Sequence, residues 1–248
     1  MINFAVKPCG KTVAVNALFA STREFCRDYL TDGQPDFSVT VTPSDIILER
    51  EKAAREDALE GLPVRNLSDE LLERTALQRK IVEHLFDYDV LLFHGSAVEV
   101  DGEAYLFTAK SGTGKSTHTK LWRQVLGDRA RMINDDKPFL RFDTEGITVY
   151  GSPWMGKHNL GTNISAPLKA ICILERGEEN NIRPITPQEA LPMLFQQSQR
   201  PANGKHLPKY MDLIDKLASQ GKFYRMACNM DPKAACMAYE AMSSGRKE

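Results

Sequence analysis

The 248-residue chain has no excess of charge of either sign: 32 lysines and arginines stand against 33 aspartates and glutamates, for a net charge of −1. Proteins that track nucleic acid or lie on an anionic membrane need a basic field, so neither partner is expected. Cysteine is scarce. The five residues (Cys9, Cys26, Cys172, Cys228 and Cys236) are odd in number and form no CxxC pair. That argues against a zinc knuckle and for reduced, mostly buried thiols. No apolar run approaches the ~20 residues of a membrane-spanning helix. The opening "MINFAVKPCGKTVAV" lacks the basic start, long apolar stretch and small-residue cleavage site of a signal peptide. A cytoplasmic location is expected, and no repeat, linker or low-complexity segment is visible.

What remains is ordinary globular composition, 42% hydrophobic and 26% charged, with length for one large domain or two small ones. A seam near residues 87–90 divides a small α+β module over 1–88 from a domain over 89–248. In the module, "INFAV", "TVAVNALF" and "FSVTVT" read as strands. "STREFCRDYL" reads as a helix beginning at Ser21 or Thr22, with Phe25, Tyr29 and Leu30 on one side. "PSDIILEREKAAREDALEG" divides into a strand-like first half and a charged, helix-prone second half. "LSDELLERTALQRKIVEHLFDYD" is a helix opened by Ser68 and two early acids, with Leu71, Leu72, Ala76, Ile81, Leu85 and Phe86 as its apolar stripe.

From residue 90 the pattern is strand, turn, strand, loop, helix. "VLLFHGSAVEV" and "EAYLFTA" flank Asp101-Gly102, a two-residue hairpin signal. A helix begins in "GKSTHTKLWRQVLG" and stops near Gly127. "RARMINDD", "FLRFD" and "ITVYG" follow as strands with a turn at "DTEG", and "LKAICILERG" is another strand.

Between the hairpin and the helix lies "AKSGTGKST". Bound phosphate needs convergent donors and positive charge from backbone that can approach closely. Ser111, Gly112, Thr113, Gly114, Lys115, Ser116 and Thr117 offer this, with glycines for unusual dihedrals and a helix whose N-terminus faces the anion. Lys115 is expected to reach the outer phosphates of ATP, and the Ser116 hydroxyl to ligate Mg²⁺. Ala109 stands where the GxxxxGKS pattern has glycine, a small cost provided its φ is negative. His118 and Lys120, one helical turn on, read as packing and surface residues.

"MINDDKPFL" places Asp135 and Asp136 at the end of an apolar strand, about twenty residues past the loop. Strand alternation points the two acids to opposite faces and gives them different tasks. One ligates or orients Mg²⁺, and the other acts as base or supports it. His94, between Phe93 and Gly95 on the strand before the hairpin, is a candidate to approach the γ-phosphate or metal.

In this order and spacing, "HGSAVEVDGEAYLFTAKSGTGKST…NDD" resembles the catalytic core shared by HPr kinase/phosphorylases and phosphoenolpyruvate carboxykinases, over roughly residues 90–175. The resemblance implies an α/β P-loop fold with a mixed sheet. It also implies that His94 assists at the metal or base, that Asp135 and Asp136 share the metal and base duties, and that Lys115 and Ser116 hold phosphate and Mg²⁺. The HPr enzymes carry a glutamate-containing segment downstream, whereas "TVYGSPWMGKHNLGTN" here has no carboxylate. This speaks against the phosphorylase activity and against HPr as substrate. The carboxykinases are about twice as long, and their oxaloacetate-binding arginine region has no counterpart. Because the HPr enzymes are homo-oligomers, a homo-oligomer is a further possibility the resemblance raises.

Two more segments bear on the acceptor. "GSPWMGKHNLGTN" holds Trp154, Lys157, His158 and Asn159 in a Gly-rich loop, and Lys157 is a candidate to neutralise phosphate charge in transit. "QQSQRPANGKHLPKYMD" carries Arg200, Lys205, His206 and Lys209, and reads as a solvated basic loop or as the source of a phosphate-reaching arginine. The expectation is an ATP- and Mg²⁺-dependent kinase acting on a hydroxyl of a peptide, protein or small molecule. A nucleotide sensor or slow ATPase, and a carboxykinase-like enzyme, are the alternatives.

Overall fold

Alternating apolar residues in the first segments make β1 (Ile2–Val6) and β2 (Val13–Ala17), paired antiparallel, with β3 (Phe37–Thr40) parallel to β2. Val13, Val15 and Ala17 share one buried face of β2, as a period of two requires. These strands belong to the first of two units, Met1–Leu85 and Phe86–Glu248, in a computed structural model that describes residues 1–244. The same unit holds α1 (Ala20–Phe25), α2 (Pro43–Leu59) and α3 (Asp69–Leu85). Glu73 on α3 is fully buried and accepts hydrogen bonds from the Phe19 N–H at 3.2 Å and from the Thr22 hydroxyl, which fixes the start of α1.

Three details differ from the sequence reading. The stretch from Pro43 is one helix with no strand half. Asp45 Oδ2 accepts from the Thr42 N–H at 2.9 Å and the Thr42 hydroxyl at 2.8 Å. Ile46, Glu49 and Asp57 turn inward at helical spacing, while Ile47 and Leu48, which made the run look strand-like, are exposed. Helix α1 ends at Phe25 and gives way to a 3₁₀ turn, Arg27–Tyr29, whose tyrosine is buried. Leu71 leaves the stripe of α3 and is exposed.

The second unit contains β4 (Val90–Leu92), β5 (Ser96–Val100), β6 (Glu103–Thr108), α4 (Lys115–Leu126), β7 (Ala130–Asn134), β8 (Phe139–Asp143), β9 (Gly146–Tyr150) and β10 (Ser165–Arg176). There follow β11 (Asn181–Ile185), α5 (Pro187–Gln197), α6 (Leu207–Gln220), β12 (Phe223–Cys228) and α7 (Lys233–Ser243). The sheet runs β4-β8-β9-β10-β6-β5-β7, with β12 also beside β10 and β11 outside it. It is mixed: β10 begins antiparallel to β9, then runs parallel to both β6 and β12. The unit is therefore mixed α/β. Among the described residues no helix is long and apolar enough to cross a membrane.

Asp101 and Gly102 close the β5–β6 hairpin with φ of 52° and 86°, the positive pair a type I′ turn demands. "VLLFHGSAVEV" is two strands. β4 pairs with β8 and β5 with β6 and β7, and His94 lies in the link between them. On β6, Tyr105 and Phe107, with Ala109 just beyond, pack with Trp122 of α4 and Ala234, Ala235 and Ala238 of α7. Ala109 is fully buried and is not among the residues with positive φ. Its methyl fills the core where a glycine would leave a gap.

Candidate functional site

The β6–α4 loop owes its course to two glycines, Gly112 at φ 74° and Gly114 at φ 121°, values costly for any residue with a Cβ. Gly114 is the N-cap of α4, and no side chain caps that helix. The first-turn N–H groups have no intrahelical partner, so the positive end of α4 opens on this loop. The Lys115 ammonium lies 3.3 Å from the carbonyl oxygen of Ala109. Burial draws it below the ordinary lysine value, against the opposing pull of the Asp136 charge. From the end of β10, Arg176 donates to the Gly112 carbonyl at 2.7 Å and braces the loop from outside.

Beyond β7 the buried Asn134 organises the two acids. Its side-chain oxygen accepts from the N–H of Asp136 at 2.8 Å and of Lys137 at 2.6 Å, while its amide donates to the Ser152 carbonyl at 3.0 Å. "NDD" is thus both an Asn-stabilised turn and the acid pair. The acids lie past the end of the strand, where alternation no longer applies. Both line one cleft, contrary to the expectation of opposite faces, yet their surroundings differ. Asp135 is buried; its Oδ1 accepts from the Gly156 N–H at 2.7 Å, and its Oδ2 is shielded with no hydrogen-bond partner among the described residues. A Cβ on Gly156 would stand 3.1 Å from that Oδ2, so the glycine keeps space beside it. Asp136 Oδ1 is 3.2 Å from His94 Nε2. Burial works to raise the Asp136 carboxyl, but the His94 hydrogen bond and the charges of His94, Lys137 and Lys115 outweigh it and hold the group below its ordinary value.

The His94 backbone is tied on both sides. Its N–H donates to the Gln197 carbonyl at 2.6 Å, its carbonyl accepts from the Thr108 hydroxyl at 3.0 Å, and the next N–H, of Gly95, donates to Asp136 O at 2.9 Å. The resulting cleft, of about 670 Å³, is lined by His94, Ser111, Gly112, Gly114, Lys115, Ser116, Thr117, Asp135, Asp136 and Lys157. Of the phosphate-loop residues named from sequence only Thr113 is absent from the lining; its N–H turns to the Lys110 carbonyl at 3.3 Å. Met155, Gly156 and His158 complete the wall. Gly156 was missed because only its contact with Asp135, distant in sequence, distinguishes it from other loop glycines.

Other polar residues have structural duties. His118 is buried and accepts from Trp122 Nε1 at 3.1 Å; burial lowers its pKa to about 4, so it packs as a neutral ring. Lys120 is exposed. Trp154 is buried edge-on to Phe139, with ring centres 6.2 Å apart. Lys209 pairs with Asp89 at 2.7 Å, and His206 is buried with Asp87 3.3 Å away. Arg200 is exposed and is not among the cleft residues.

Residues 62–246 match the family model described as SynChlorMet cassette protein ScmC, and the chain belongs to that family. No curated protein matches it. Among solved structures it is similar to the HPr(Ser) kinase/phosphatase from Coxiella burnetii, at 9% identity over 62% of this chain and 99% of that one, with a TM-score of 0.35. A likeness that slight says nothing further about this chain.

Proposed function

We propose that the chain is an ATP-dependent kinase that transfers the γ-phosphate to a hydroxyl. The observation that carries this reading is the single cleft in which an uncapped helix N-terminus, Lys115, Ser116, Asp135, Asp136, His94 and Lys157 converge. A glycine loop and open helix end suit phosphates, and Lys115 and Lys157 offset their charge.

The metal is assigned to Asp135 and Ser116. The orphaned Asp135 Oδ2, with the room left by Gly156, fits a hard cation. Among the described residues no group of three or more His, Cys, Asp or Glu is set to hold a metal alone. That accords with Mg²⁺, which takes one or two carboxylates and completes its shell with phosphate and water. Bound there, Mg²⁺ supplies charge neutralisation at the phosphates.

Asp136 is the base. Held ionised by His94, it takes the proton of the acceptor hydroxyl as that oxygen bonds to the γ-phosphorus and the bond to the ADP oxygen breaks. His94 orients the carboxylate.

The test is γ-³²P-ATP incubated with pure protein and cell extract divided into protein, peptide and small-molecule fractions, beside an Asp135→Asn, Asp136→Asn double variant. Label entering one fraction with the wild-type protein only is the expected result. Label released only as free phosphate, or retained in ATP, would overturn the kinase reading in favour of a sensor or slow ATPase.

A further inference from the structure

A second pocket, of about 420 Å³, adjoins the cleft and shares His94 and Asp136 with it. Its floor is rigid backbone. Phe93 and Ser198 form an antiparallel bridge, Gln199 N–H donates to the Leu92 carbonyl at 3.0 Å, and the Ser198 hydroxyl is 2.7 Å from that of Tyr210. Its walls are nearly without net charge. Leu92 and the carboxamides of Gln196, Gln197 and Gln199 supply most of them; the charge of Lys137 opposes that of Asp136 beside it, and His94 is 3.2 Å from the Asp136 carboxylate. Gln197 is buried, and its side-chain oxygen has no hydrogen-bond partner among the described residues. An oxygen so placed costs stability until a donor reaches it.

We propose that this pocket is the acceptor's subsite and that it selects an uncharged acceptor with an N–H or O–H donor close to its reactive hydroxyl, read by Gln197. The inference rests on the kinase reading above. In that reading the phosphates lie with Lys115 and Ser116, and Asp136 borders both spaces. An acceptor seated in the pocket presents its hydroxyl to Asp136, which also lines the cleft that holds the nucleotide. A carboxylate or phosphate on the acceptor would lose its water without gaining a free cation. A donor on the acceptor satisfies the Gln197 oxygen, which has no hydrogen-bond partner among the described residues.

Binding separates this inference from catalysis. Saturation-transfer NMR without nucleotide would compare N-acetylserinamide and glycerol with their acidic counterparts, N-acetylserine and glycerate. Binding of a neutral probe about tenfold tighter than its acidic counterpart is expected, and the two neutral probes distinguish an amide-bearing from a polyol acceptor. Gln197→Leu should weaken neutral binding about tenfold, the worth of one neutral hydrogen bond, leave Mg·ATP affinity unchanged, and not lower the melting temperature, since the oxygen it removes is unsatisfied. Gln197→Met, of similar volume, should do the same. Equal binding of acidic probes, no binding of either neutral probe, or unchanged binding in both variants would overturn the assignment. Phosphoryl transfer, measured separately, reports on the kinase reading alone.

Discussion

Helix α5 opens with its donors satisfied. Thr186 Oγ1 accepts from the Glu189 N–H at 3.3 Å, Glu189 Oε2 accepts from the Thr186 N–H at 3.0 Å, and Pro187 follows the cap. Helix α4, in the same unit, opens on Gly114 with no capping side chain and no acid in its first turn, but with Lys115 there instead. A serine or aspartate cap is worth about 1 kcal/mol, and α4 forgoes it. Like charge is also placed against the dipole: a lysine at a helix N-terminus is mildly unfavourable. Both departures make sense together if an anion supplies what the cap and the acid would have supplied. One helix start is closed by its own side chains, and the other has no side-chain cap.

The sharpest way to break that comparison is to remove groups at each end and measure transfer. Asp136→Asn should lower kcat by roughly 10²–10⁴-fold, the usual worth of a general base, with Mg·ATP affinity little changed. Lys115→Met should lower kcat/KM by roughly 10²–10³-fold, as loss of one preorganised electrostatic contact does. Thr186→Ala should leave both constants alone. If the cap variant damages transfer as much as Lys115→Met does, the division of labour between the two helix starts is wrong. The pH profile sharpens the same point. The Asp136 carboxyl sits below its ordinary value, so kcat should stay level as pH falls to about 4 and drop only below it, where the ionised form is lost.

A smaller effect is expected from Gly114→Ala. No atom lies within 4 Å of the added Cβ, so its cost is conformational, from a φ of 121°. That is of order 1–3 kcal/mol, read as a lower melting temperature. Relaxation of the loop should also reduce the stabilisation given by Mg·ATP. Thr186→Ala should cost about 1 kcal/mol and leave the Mg·ATP-induced shift in melting temperature intact. A Gly114→Ala protein that melts lower but keeps its full nucleotide shift would show that the loop's shape is not what holds the ligand.

Local chemistry made much of the second unit legible in sequence. Asp101-Gly102 specifies a turn by φ alone, Gly127 at φ 56° ends α4, and the strand-loop-helix order is set by periodicity and glycine. What stayed hidden depended on partners far along the chain. The break of "VLLFHGSAVEV" at His94 follows from β4 pairing with β8 while β5 pairs with β6 and β7, and no local signal carries that. Asp135 and Asp136 were legible as a pair, but their shared cleft was not, because Asn134 ends the strand by hydrogen-bonding forward to two N–H groups. The pocket at Gln196–Gln199 joins residues about a hundred positions from His94. In the first unit, Ile47 and Leu48 imitated a strand, and only the Thr42–Asp45 start and the burial of Ile46 and Glu49 show the helical period.

The smallest effect separates the two helix starts by acid. Glu189 is lowered to about 2, first by the hydrogen bond from Arg183 and then by that from the Thr186 N–H. Its folded value lies below its unfolded one, so its contribution to stability is present above the unfolded carboxylate range and is lost as pH falls through that range toward 2. The difference in melting temperature between the wild-type protein and Glu189→Gln should therefore be constant from neutral pH down to about 5. Below that it should shrink toward zero as pH approaches 2. The salt bridge is exposed, so the difference should also shrink in high salt. No carboxylate stands in the first turn of α4, and Glu189→Gln should leave the Mg·ATP-dependent stabilisation there unchanged. A Glu189→Gln protein whose nucleotide stabilisation falls in step with its lost cap would mean that the two helix starts are coupled.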